Sequence, residues 1–468
     1  MERKTRIIAT LGPASESPAV LTRLVAAGAN VFRLNMSHAS HPWVRTCCAR
    51  IREVAAKAGT PVAILMDLQG PSIRTGDVQE PIRLVRGTQV EFRNRSLRAA
   101  AEFSVTTNYS GLSKDVQPGD TLVVDNGVLR FRILSVEKGR VLGKALNRGV
   151  LMSRRHINLP GVRLRFPPLT AKDRVDLALG LELEMDFFAL SFVRDASHLA
   201  ALRRRIRQAG SSAFVIAKIE DQEAVRNIDD LISSADIIMI ARGDLGIECP
   251  LEELPIIQRR TIKQCIILGT PVIVATHMLE SMIVNPVPTR AEVTDVANAV
   301  FEEADAVMLS GETSIGRFPA RCVEVMDRIA RRIERSGGAG YAEHAILTRQ
   351  DQLTVRAAVV LADSMPDSAM IVFTRRGSLA RDVAHLRPRR AVIYAITPDS
   401  AVQRRLLLCR GVRPVQLPFQ ADPQATLNEA IDALRRTNDL KKGQSLVILS
   451  DVLATNGRDV GSIVYRKA

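Results

Sequence analysis

Charged and polar side chains follow a series of short apolar segments, and their types indicate phosphate and metal chemistry. Carboxylates at Asp67, Glu220 and Asp244 offer the oxygen ligands that Mg²⁺ prefers. Arg33 and Lys218 would compensate negative charge on a phosphoryl group during its transfer. The complete set comprises Arg33, Asn35, Ser37, Asp67, Arg74, Lys218, Glu220, Arg242, Gly243, Asp244, Glu248, Thr276, Ser310 and Glu312. It predicts a site that handles phosphate and a hard cation.

Each piece of this set also has a structural interpretation. The KIE stretch at 218–220 is equally compatible with a solvated strand exit. The stretch ARGDLGIE at 241–248 can begin a helix whose free N–H groups suit a carboxylate or phosphate, and an N-capping aspartate is the alternative. Thr276 can satisfy a local backbone group, and we interpret His38 and His277 as oriented neighbours rather than proton shuttles.

Eight apolar segments precede these residues and are expected to position them. They span 6–12, 30–35, 62–67, 187–192, 214–220, 237–243, 271–276 and 306–311. Amphipathic helical patterns lie between most of them, and near-continuous apolar strands are typical of a buried parallel sheet. The alternation predicts a (β/α)8 barrel, in which catalytic groups come from the C-terminal ends of the strands.

Two further units interrupt or follow the predicted barrel, which would comprise residues 1–76 and 161–337. Strand-like runs separated by GT, PGD, NG and KG turns predict a small β-barrel lid over 77–160. Glycine and proline at its junctions, GPSIRTG and NLPGV, suit a hinge. After the glycine-rich SGGAGYAE, alternating helices and strands predict a C-terminal α/β domain over 345–468.

The formal net charge of +15 raises the alternative of a nucleic-acid-binding protein, because clustered Lys and Arg neutralise phosphates. The basic residues are scattered, however, and one Trp and four Tyr provide few platforms for stacking bases. We therefore favour a solvated basic surface that attracts small anionic substrates, and we do not expect nucleic acid as a partner.

The length of the apolar runs, the N-terminal sequence and the cysteine spacing together predict where the protein is located. Apolar runs stay well below the roughly 20 residues that a membrane-spanning helix requires. The N-terminal MERKTRIIATLGPAS does not resemble a signal peptide, and the six cysteines show no zinc spacing and predict buried or free thiols. A cytoplasmic protein is expected.

Long motifs in a fixed order resemble the pyruvate kinase family over essentially the whole chain. They are KTRIIATLGPAS, GANVFRLNMSH, GPSIRTG, NLPGV, SFVRDASHL, IAKIED, ARGDLGIE, ATHMLESM, PTRAEVTDVANAV and MLSGETSIGRFP. The resemblance implies a TIM barrel with a lid inserted after the third strand and a C-terminal regulatory domain. It also implies phosphoryl transfer from phosphoenolpyruvate to ADP, giving pyruvate and ATP in the last step of glycolysis, by a homotetramer.

The resemblance implies roles for residues on the substrate side of the site. Glu220 and Asp244 match the two carboxylates that hold a Mg²⁺ (or Mn²⁺) ion. Lys218 matches the lysine that stabilises the phosphoryl group in flight, and Arg33 matches a contact to the substrate phosphate. Thr276 matches a hydroxyl that takes part in protonating the enolate.

Further implied roles concern the substrate carboxylate, the nucleotide and the lid. Gly243 and Asp244 match the helix N-terminus that receives the carboxylate. Nucleotide contacts are implied for Arg74, Arg155, Asn35 and His38, and Asp125 matches an aspartate of the lid. The C-terminal loop FTRRGSLA, 373–380, departs from the common effector loop, although Thr374, Gly377 and Ser378 with two arginines could cradle a phosphorylated effector. A surface turn is equally compatible.

A second departure concerns a monovalent cation. The family's oxygen cage is retained in Asn35, Ser37, Asp67 and the Leu68 carbonyl. Relatives that need K⁺ carry a glutamate where this chain has Ser72, and the branch that works without K⁺ carries a lysine there. Leu68 and Gln69 match that second branch, whereas Ser72 supplies neither charge. We therefore hypothesise that K⁺ dependence is weak or absent.

Two competing functions remain open from the sequence. One is another Mg²⁺-dependent phosphoenolpyruvate or pyruvate enzyme of the barrel group, of lyase or aldolase type. Lys218 and the inserted lid argue against it. The other is a basic nucleic-acid-binding protein that kept the fold and lost the activity, and intact Lys218, Glu220, Asp244 and Thr276 oppose it.

Overall fold

The first three strands and two helices form the start of a barrel. The structure is a computed structural model that describes residues 3–450 and 462–468. The strands are β1 (Arg6–Thr10), β2 (Val31–Asn35) and β3 (Ala63–Asp67), and the helices are α1 (Pro18–Ala26) and α2 (His41–Ala58). Every residue of β1 and β3 is buried and most are apolar, as expected for parallel strands that are covered by helices.

The inserted segment folds as its own sheet after β3. Its elements are β4 (Ile73–Arg74), β5 (Ile82–Leu84), β6 (Gln89–Asn94), β7 (Ser104–Thr107), α3 (Leu112–Asp115), β8 (Thr121–Val124), β9 (Leu129–Glu137), β10 (Arg140–Ala145), β11 (Gly149–Leu151) and β12 (His156–Asn158). Seven of these strands pair in the order β4-β12-β8-β9-β10-β6-β7, and β5 pairs with β11. A bridge between Thr75 and Thr107 joins the two edges, so the sheet curls into a small barrel.

The chain then returns to complete the main barrel. The strands are β13 (Phe187–Leu190), β14 (Phe214–Ile219), β15 (Ile237–Ala241), β16 (Val272–Ala275) and β17 (Ala306–Leu309). The helices are α4 (Ala171–Glu182), α5 (Ala196–Gln208), α6 (Gln222–Arg226), α7 (Ile228–Ser234), α8 (Arg242–Glu248), α9 (Leu254–Leu268), α10 (Arg290–Phe301), α11 (Gly311–Ser314) and α12 (Pro319–Glu334). Short 3₁₀ turns span Leu251–Glu253, Glu280–Ile283 and Tyr341–His344. Closure follows the order β1-β17-β16-β15-β14-β13-β3-β2, with every pair parallel.

The C-terminal domain is a second parallel sheet with one antiparallel edge. Its helices are α13 (Gln350–Ser364), α14 (Ser378–His385), α15 (Ser400–Leu406) and α16 (Pro423–Arg436). Its strands are β18 (Ala369–Phe373), β19 (Val392–Thr397), β20 (Val412–Gln416), β21 (Ser445–Ser450) and β22 (Ser462–Lys467), in the order β20-β19-β18-β21-β22. Within the described chain, no helix is long and apolar enough to cross a membrane.

Side chains at the N-terminal rim of the main barrel tie neighbouring strands together. On every second strand, one backbone N–H donates a hydrogen bond to a side-chain oxygen. That side chain, a carboxylate or an amide, belongs to the residue directly before the next strand of the barrel. The four bonds are Ile7 to Asn30 at 3.0 Å, Ile64 to Asp186 at 2.9 Å, Val215 to Asp236 at 2.9 Å and Val272 to Asp305 at 3.0 Å. We call these acceptors the rim caps.

The predicted architecture is confirmed in its main features. All eight apolar segments become strands of the closed barrel, and the insertion and the C-terminal domain form separate sheets. The six cysteines are free thiols, and five of them are buried. The sheet of the insertion includes Ile73–Arg74, which the predicted limits assign to the main barrel. The strands β20 and β22 were not predicted.

Candidate active site

A cavity of about 380 Å³ opens where the C-terminal ends of the barrel strands face the inserted domain. We call it the strand-end cavity. It is lined by most of the residues that the sequence singled out, and by several that it did not. The predicted lining residues are Arg33, Asn35, Ser37, His38, Asp67, Leu68, Arg74, Asp125, Arg155, Lys218, Glu220 and Asp244. Residues from five strand ends and the lid are therefore brought to one place.

Lys218, at the end of β14, occupies the centre of an ionic network. Its Nζ lies 2.7 Å from Glu220 Oε1 and 3.3 Å from Asp67 Oδ1. It also donates to the Ser191 hydroxyl at 2.7 Å. Burial alone would lower the pKa of Lys218, but Asp67 and Glu220 raise it above its usual range. The side chain is therefore a fixed positive charge at the wall of the cavity.

Asp67 and Arg33 form the second half of this network. Arg33 approaches Asp67 Oδ2 with both Nε and Nη2 at 2.7 Å, and its Nη1 donates to the Thr10 hydroxyl at 3.1 Å. Burial would raise the pKa of Asp67, but Lys218 and Arg33 together lower it. Asp67 is therefore ionised, and it orients two cations toward the same space.

Glu220 and Asp244 face the strand-end cavity as a pair of carboxylates. Glu220 Oε2 accepts the Phe192 N–H at 2.7 Å. Burial raises the pKa of Glu220, and the like charge of Asp244 adds to the rise against the opposing effect of Lys218. In the part of the chain that the structure describes, no three Asp, Glu, His or Cys side chains gather as a metal cluster. A buried carboxylate beside a partly buried one fits a cation that takes its other ligands from substrate and water.

Thr276 and Gly243 do not line the strand-end cavity but contact each other beside Asp244. The Thr276 hydroxyl accepts the Gly243 N–H at 2.7 Å and donates to the Ala275 carbonyl at 2.6 Å. Thr276 has φ of 69°, which is uncommon for a β-branched residue. Arg242 supports this conformation, because its Nη2 donates to the Thr276 carbonyl at 2.6 Å while Nη1 binds Asp295 at 2.6 Å. Arg242 is thus a positioning residue.

The lid contributes basic groups and one acid to the opposite wall. Arg155 Nη1 lies 3.3 Å from Asp125 Oδ1, and Arg74 Nη1 donates to the Arg154 carbonyl at 3.2 Å. Asp125 and Asn126 both have positive φ, 57° and 53°, in the turn between β8 and β9. Asp and Asn tolerate this left-handed conformation better than other residues with a Cβ. The turn therefore presents Asp125 to the cavity at a small backbone cost.

The loop after β3 lies close against β13. Gly70 has φ of 67°, and a Cβ there would lie 2.8 Å from the Cβ of Ser191, so that only glycine fits. The Ser191 hydroxyl donates to the Leu68 carbonyl at 2.8 Å. Ser72 lines the same cavity, and its buried hydroxyl has no hydrogen-bond partner among the described residues. This loop therefore presents a carbonyl and an unpaired hydroxyl beside Asp67.

Some of the predicted strand-end residues are structural. Glu312 is fully buried and accepts the Leu279 N–H at 2.9 Å and the Ser310 N–H at 2.6 Å. Glu248 accepts from Asn158 at 3.1 Å. None of these lines the strand-end cavity.

In the C-terminal loop, Thr374 is buried and its hydroxyl accepts the Gly377 N–H at 3.0 Å, so these two groups already bind each other.

The sequence reasoning missed several lining residues. They are Arg154, His156, Ser191, Phe192 and Asn126. Ser191 lies near the end of the predicted segment 187–192 and directly follows the observed strand Phe187–Leu190, so the strand-end rule that found Lys218 would have found it as well. His156 lies in a short lid strand, and burial lowers its pKa. The position of His156 beside the barrel depends on how the lid docks, and no local sequence pattern indicates how the lid docks.

Comparisons with known proteins agree with this geometry. Residues 2–323 match the family model described as pyruvate kinase, barrel domain, and residues 352–460 match pyruvate kinase, alpha/beta domain. The chain is 40% identical to the pyruvate kinase of Geobacillus stearothermophilus over 465 residues, which cover 97% of this chain and 78% of that protein. It is 38% identical to the pyruvate kinase of Corynebacterium glutamicum over 456 residues, covering 96% and 94% respectively.

A solved structure shows the same fold. The crystal structure of a pyruvate kinase from Cryptosporidium parvum superposes with a TM-score of 0.93 and 33% sequence identity, covering 99% of this chain and 96% of that chain. The similarity extends over the barrel, the inserted domain and the C-terminal domain. The chain therefore belongs to the pyruvate kinase family.

Proposed function

We propose that the strand-end cavity transfers the phosphoryl group of phosphoenolpyruvate to ADP, giving pyruvate and ATP. The observation that carries the proposal is the Lys218 ammonium, which lies between Asp67 and Glu220 at the cavity wall. An ammonium acts as a point charge and does not require one bidentate geometry, so it suits a group that moves between two oxygens. Electrostatic stabilisation of this kind is the main contribution that a protein makes to phosphoryl transfer.

The substrate side of the cavity is assigned to residues of the barrel. Arg33 would bind the substrate phosphate, because one edge of its guanidinium is held by Asp67. Gly243 and Asp244, at the start of α8, would receive the substrate carboxylate. The Thr276 hydroxyl, which lies against Gly243, would take part in delivering a proton to the enolate.

The family is generally metal-dependent, and we assign the divalent site to Glu220 and Asp244. Mg²⁺ or Mn²⁺ bound there would neutralise charge on the substrate oxygens. The support is the pair of carboxylates in one cavity, whose mutual repulsion contributes to the raised pKa of Glu220. The Phe192 N–H fixes the orientation of Glu220 through its second oxygen.

A monovalent cation site is assigned to Asn35, Ser37, Asp67 and the Leu68 carbonyl. All four residues line the strand-end cavity, and Asp67 Oδ1 has no hydrogen-bond partner in the described chain apart from its ion pair with Lys218. Ser72 adds no charge to this group. We therefore propose that K⁺ dependence is weak or absent.

The nucleotide side is assigned to the lid junction and the β2 loop. Arg74, Arg155, Asn35 and His38 line the cavity and would contact ADP. Asp125 would act when the lid, residues 77–160, closes over the barrel and excludes water that could hydrolyse the phosphoryl group. A homotetramer, a cytoplasmic location and a phosphorylated effector at residues 373–380 complete the proposal.

The test is pyruvate formation from phosphoenolpyruvate and ADP with Mg²⁺, in K⁺ and in a tetraalkylammonium salt at equal ionic strength. We expect activity in both salts, strict dependence on ADP, and no turnover by Lys218→Met. Pyruvate formation without ADP would favour the lyase or aldolase alternative. Inactivity in both salts contradicts the kinase assignment, and activity in K⁺ alone contradicts only the proposal that K⁺ dependence is weak or absent.

A further inference from the structure

A second cavity, of about 450 Å³, lies between the main barrel and the C-terminal domain, away from the strand-end cavity. We call it the interdomain cavity. Four parts of the chain line it: the segment before β1, the loop after α10, the end of α12 with the glycine-rich loop after it, and residues 387–393 and 410–411 of the C-terminal domain. Its charged lining residues are Lys4, Glu303, Glu334, Arg335, Arg387, Arg389 and Arg410. Five cations and two carboxylates therefore face one space.

Not all of these cations are neutralised by neighbouring carboxylates. Lys4 Nζ donates to the carbonyls of Pro388 and Arg389, both at 2.7 Å, and it has no carboxylate within ion-pair distance among the described residues. Burial, and then the positive charge of Arg410, lower the pKa of Lys4 to about 8. The exposed guanidinium of Arg335 makes no hydrogen bond or ion pair in the described chain. The cavity thus carries unbalanced positive charge.

The other cations have partners that hold them in place. Arg387 forms a bidentate pair with Asp305, with distances of 2.7 and 2.6 Å, and Arg389 pairs with Glu343. Arg410 Nη1 lies 3.5 Å from Glu334, whose two oxygens also accept the backbone N–H groups of residues 4 and 5. Arg387 and Arg410 are therefore buried with their partners, whereas Lys4 and Arg335 remain available to an anion.

The glycine-rich loop and the residue it packs against add both hydrogen-bond donors and a hydrogen-bond acceptor. The N–H groups of Gly337 and Gly338 have no hydrogen-bond partner in the described part of the chain, and a Cβ at Gly337 would meet nothing within 4 Å. The loop packs against Glu303, since a Cβ at Gly338 would lie 2.6 Å from its carboxyl carbon. Glu303 Oε2 accepts the Gly340 N–H at 3.1 Å, which leaves Oε1 as an acceptor for a ligand hydroxyl.

From this arrangement we propose that the interdomain cavity binds a small phosphate monoester that also carries hydroxyl groups. The phosphate would contact Lys4, Arg335 and the free amides of the loop, since cations and exposed backbone N–H groups form anion sites. The hydroxyls would donate to Glu303. The cavity volume lies within the usual range for small-molecule sites, which is roughly 300 to 1,000 Å³. Such a ligand connects the barrel to the C-terminal domain, so its binding stabilises their contact.

The experiment is isothermal titration of the full-length protein with glycerol 3-phosphate, inorganic phosphate and glycerol, each at constant ionic strength. The test variant is Arg335→Gln, which is expected to fold normally because the side chain of Arg335 is exposed. One matched control is Arg332→Gln, on the same helix, because Arg332 binds Ser336 and does not line the cavity. The other is Arg376→Gln, at an exposed position of the loop at 373–380, which removes a cation from the other candidate anion site.

We expect Arg335→Gln to weaken glycerol 3-phosphate binding about tenfold, as for one lost charged contact, while both controls stay within about twofold of the unmodified protein. Inorganic phosphate should bind more weakly than glycerol 3-phosphate, and glycerol should not bind. The proposal is overturned if the protein binds no glycerol 3-phosphate at about 10 mM, or if Arg335→Gln has no effect. It is also overturned if Arg376→Gln alone abolishes binding, and equal affinities for the two phosphates overturn the hydroxyl contacts.

Discussion

Arg387 of the C-terminal domain forms a buried bidentate ion pair with Asp305 of the main barrel, with Nη1–Oδ1 at 2.7 Å and Nη2–Oδ2 at 2.6 Å. Asp305 is a rim cap, and it also accepts the N–H groups of Val272 and Arg410. Another rim cap, Asp186, binds Arg404 of the same domain at 2.7 Å. The C-terminal domain is therefore attached to the N-terminal rim of the main barrel, opposite the end that carries the strand-end cavity.

The first prediction concerns this ion pair. Arg387→Gln leaves a buried carboxylate without its charged partner, which is expected to cost about 3–5 kcal/mol in the free energy of unfolding. A matched control is Arg45→Gln, because Arg45 and Glu182 form a bidentate pair with side chains that are 48% and 58% exposed. That change should cost far less, because solvent screens an exposed ion pair. Equilibrium urea unfolding measures both, and equal losses in the two variants contradict the prediction.

The rim caps also show where the sequence reasoning stopped. The eight barrel strands and most site residues follow from one local rule, that the polar residue after an apolar strand faces the site. The pairing of Arg387 with Asp305 depends on how two domains dock, and the two residues are 82 positions apart. Neither partner has a local pattern that distinguishes it from a solvated charge.

The missed strands have a different physical explanation. Both β20 and β22 are edge strands of the C-terminal sheet. β20 contains Pro414, which is tolerated at a sheet edge because one side of the strand needs no ladder bond, but which reads as a strand breaker in the sequence. β22 is largely exposed and lacks a buried apolar core pattern. Central strands were predictable because both of their faces are buried.

The second prediction concerns Ser191, which the sequence reasoning missed. Its hydroxyl connects Lys218 Nζ to the Leu68 carbonyl, with distances of 2.7 and 2.8 Å. Ser191→Ala would leave the ammonium without this support and is expected to lower kcat by roughly 10- to 100-fold, since small misplacements of catalytic groups have costs of this size. Steady-state kinetics with phosphoenolpyruvate and ADP measures the change.

The control for Ser191 is another buried serine, far from the site. Ser368 donates to the Ala362 carbonyl at 2.6 Å inside the C-terminal domain. Ser368→Ala should lose about 1 kcal/mol of stability and keep its kcat. A normal kcat in Ser191→Ala, or an equal loss in both variants, would show that Ser191 has only a structural role.

The third prediction concerns the lid residue Asp125. Asp125→Asn keeps a residue that tolerates positive φ, so it removes the charge that faces Arg155 without straining the turn. We expect turnover to fall at least about tenfold, as for a lost positioning contact, with little change in the thermal midpoint. Glu137→Gln is the control, because Glu137 is an exposed lid acid in β9 that does not line the cavity. Unchanged kinetics in Asp125→Asn would remove Asp125 from the mechanism.

The last prediction tests the neutral residue beside Asp67. Ser72 lines the strand-end cavity, and its buried hydroxyl has no hydrogen-bond partner among the described residues, so a longer side chain replaces no existing bond. Ser72→Glu adds a carboxylate beside the proposed oxygen cage, and a charge within about 4–6 Å changes ion affinity by tenfold or more. Activation by K⁺ should therefore appear or increase at least about tenfold.

Ser72→Lys is the opposite arm of the same test. Its ammonium would occupy the place of the cation and repel K⁺, so activity in K⁺ and in a tetraalkylammonium salt should become equal. Initial rates over a K⁺ titration at constant ionic strength measure all three proteins. If the unmodified enzyme is already strongly activated by K⁺ and both variants leave the activation constant unchanged, then the residue at position 72 does not control the cation, and the ligands supplied by Asn35, Ser37, Asp67 and Leu68 suffice on their own.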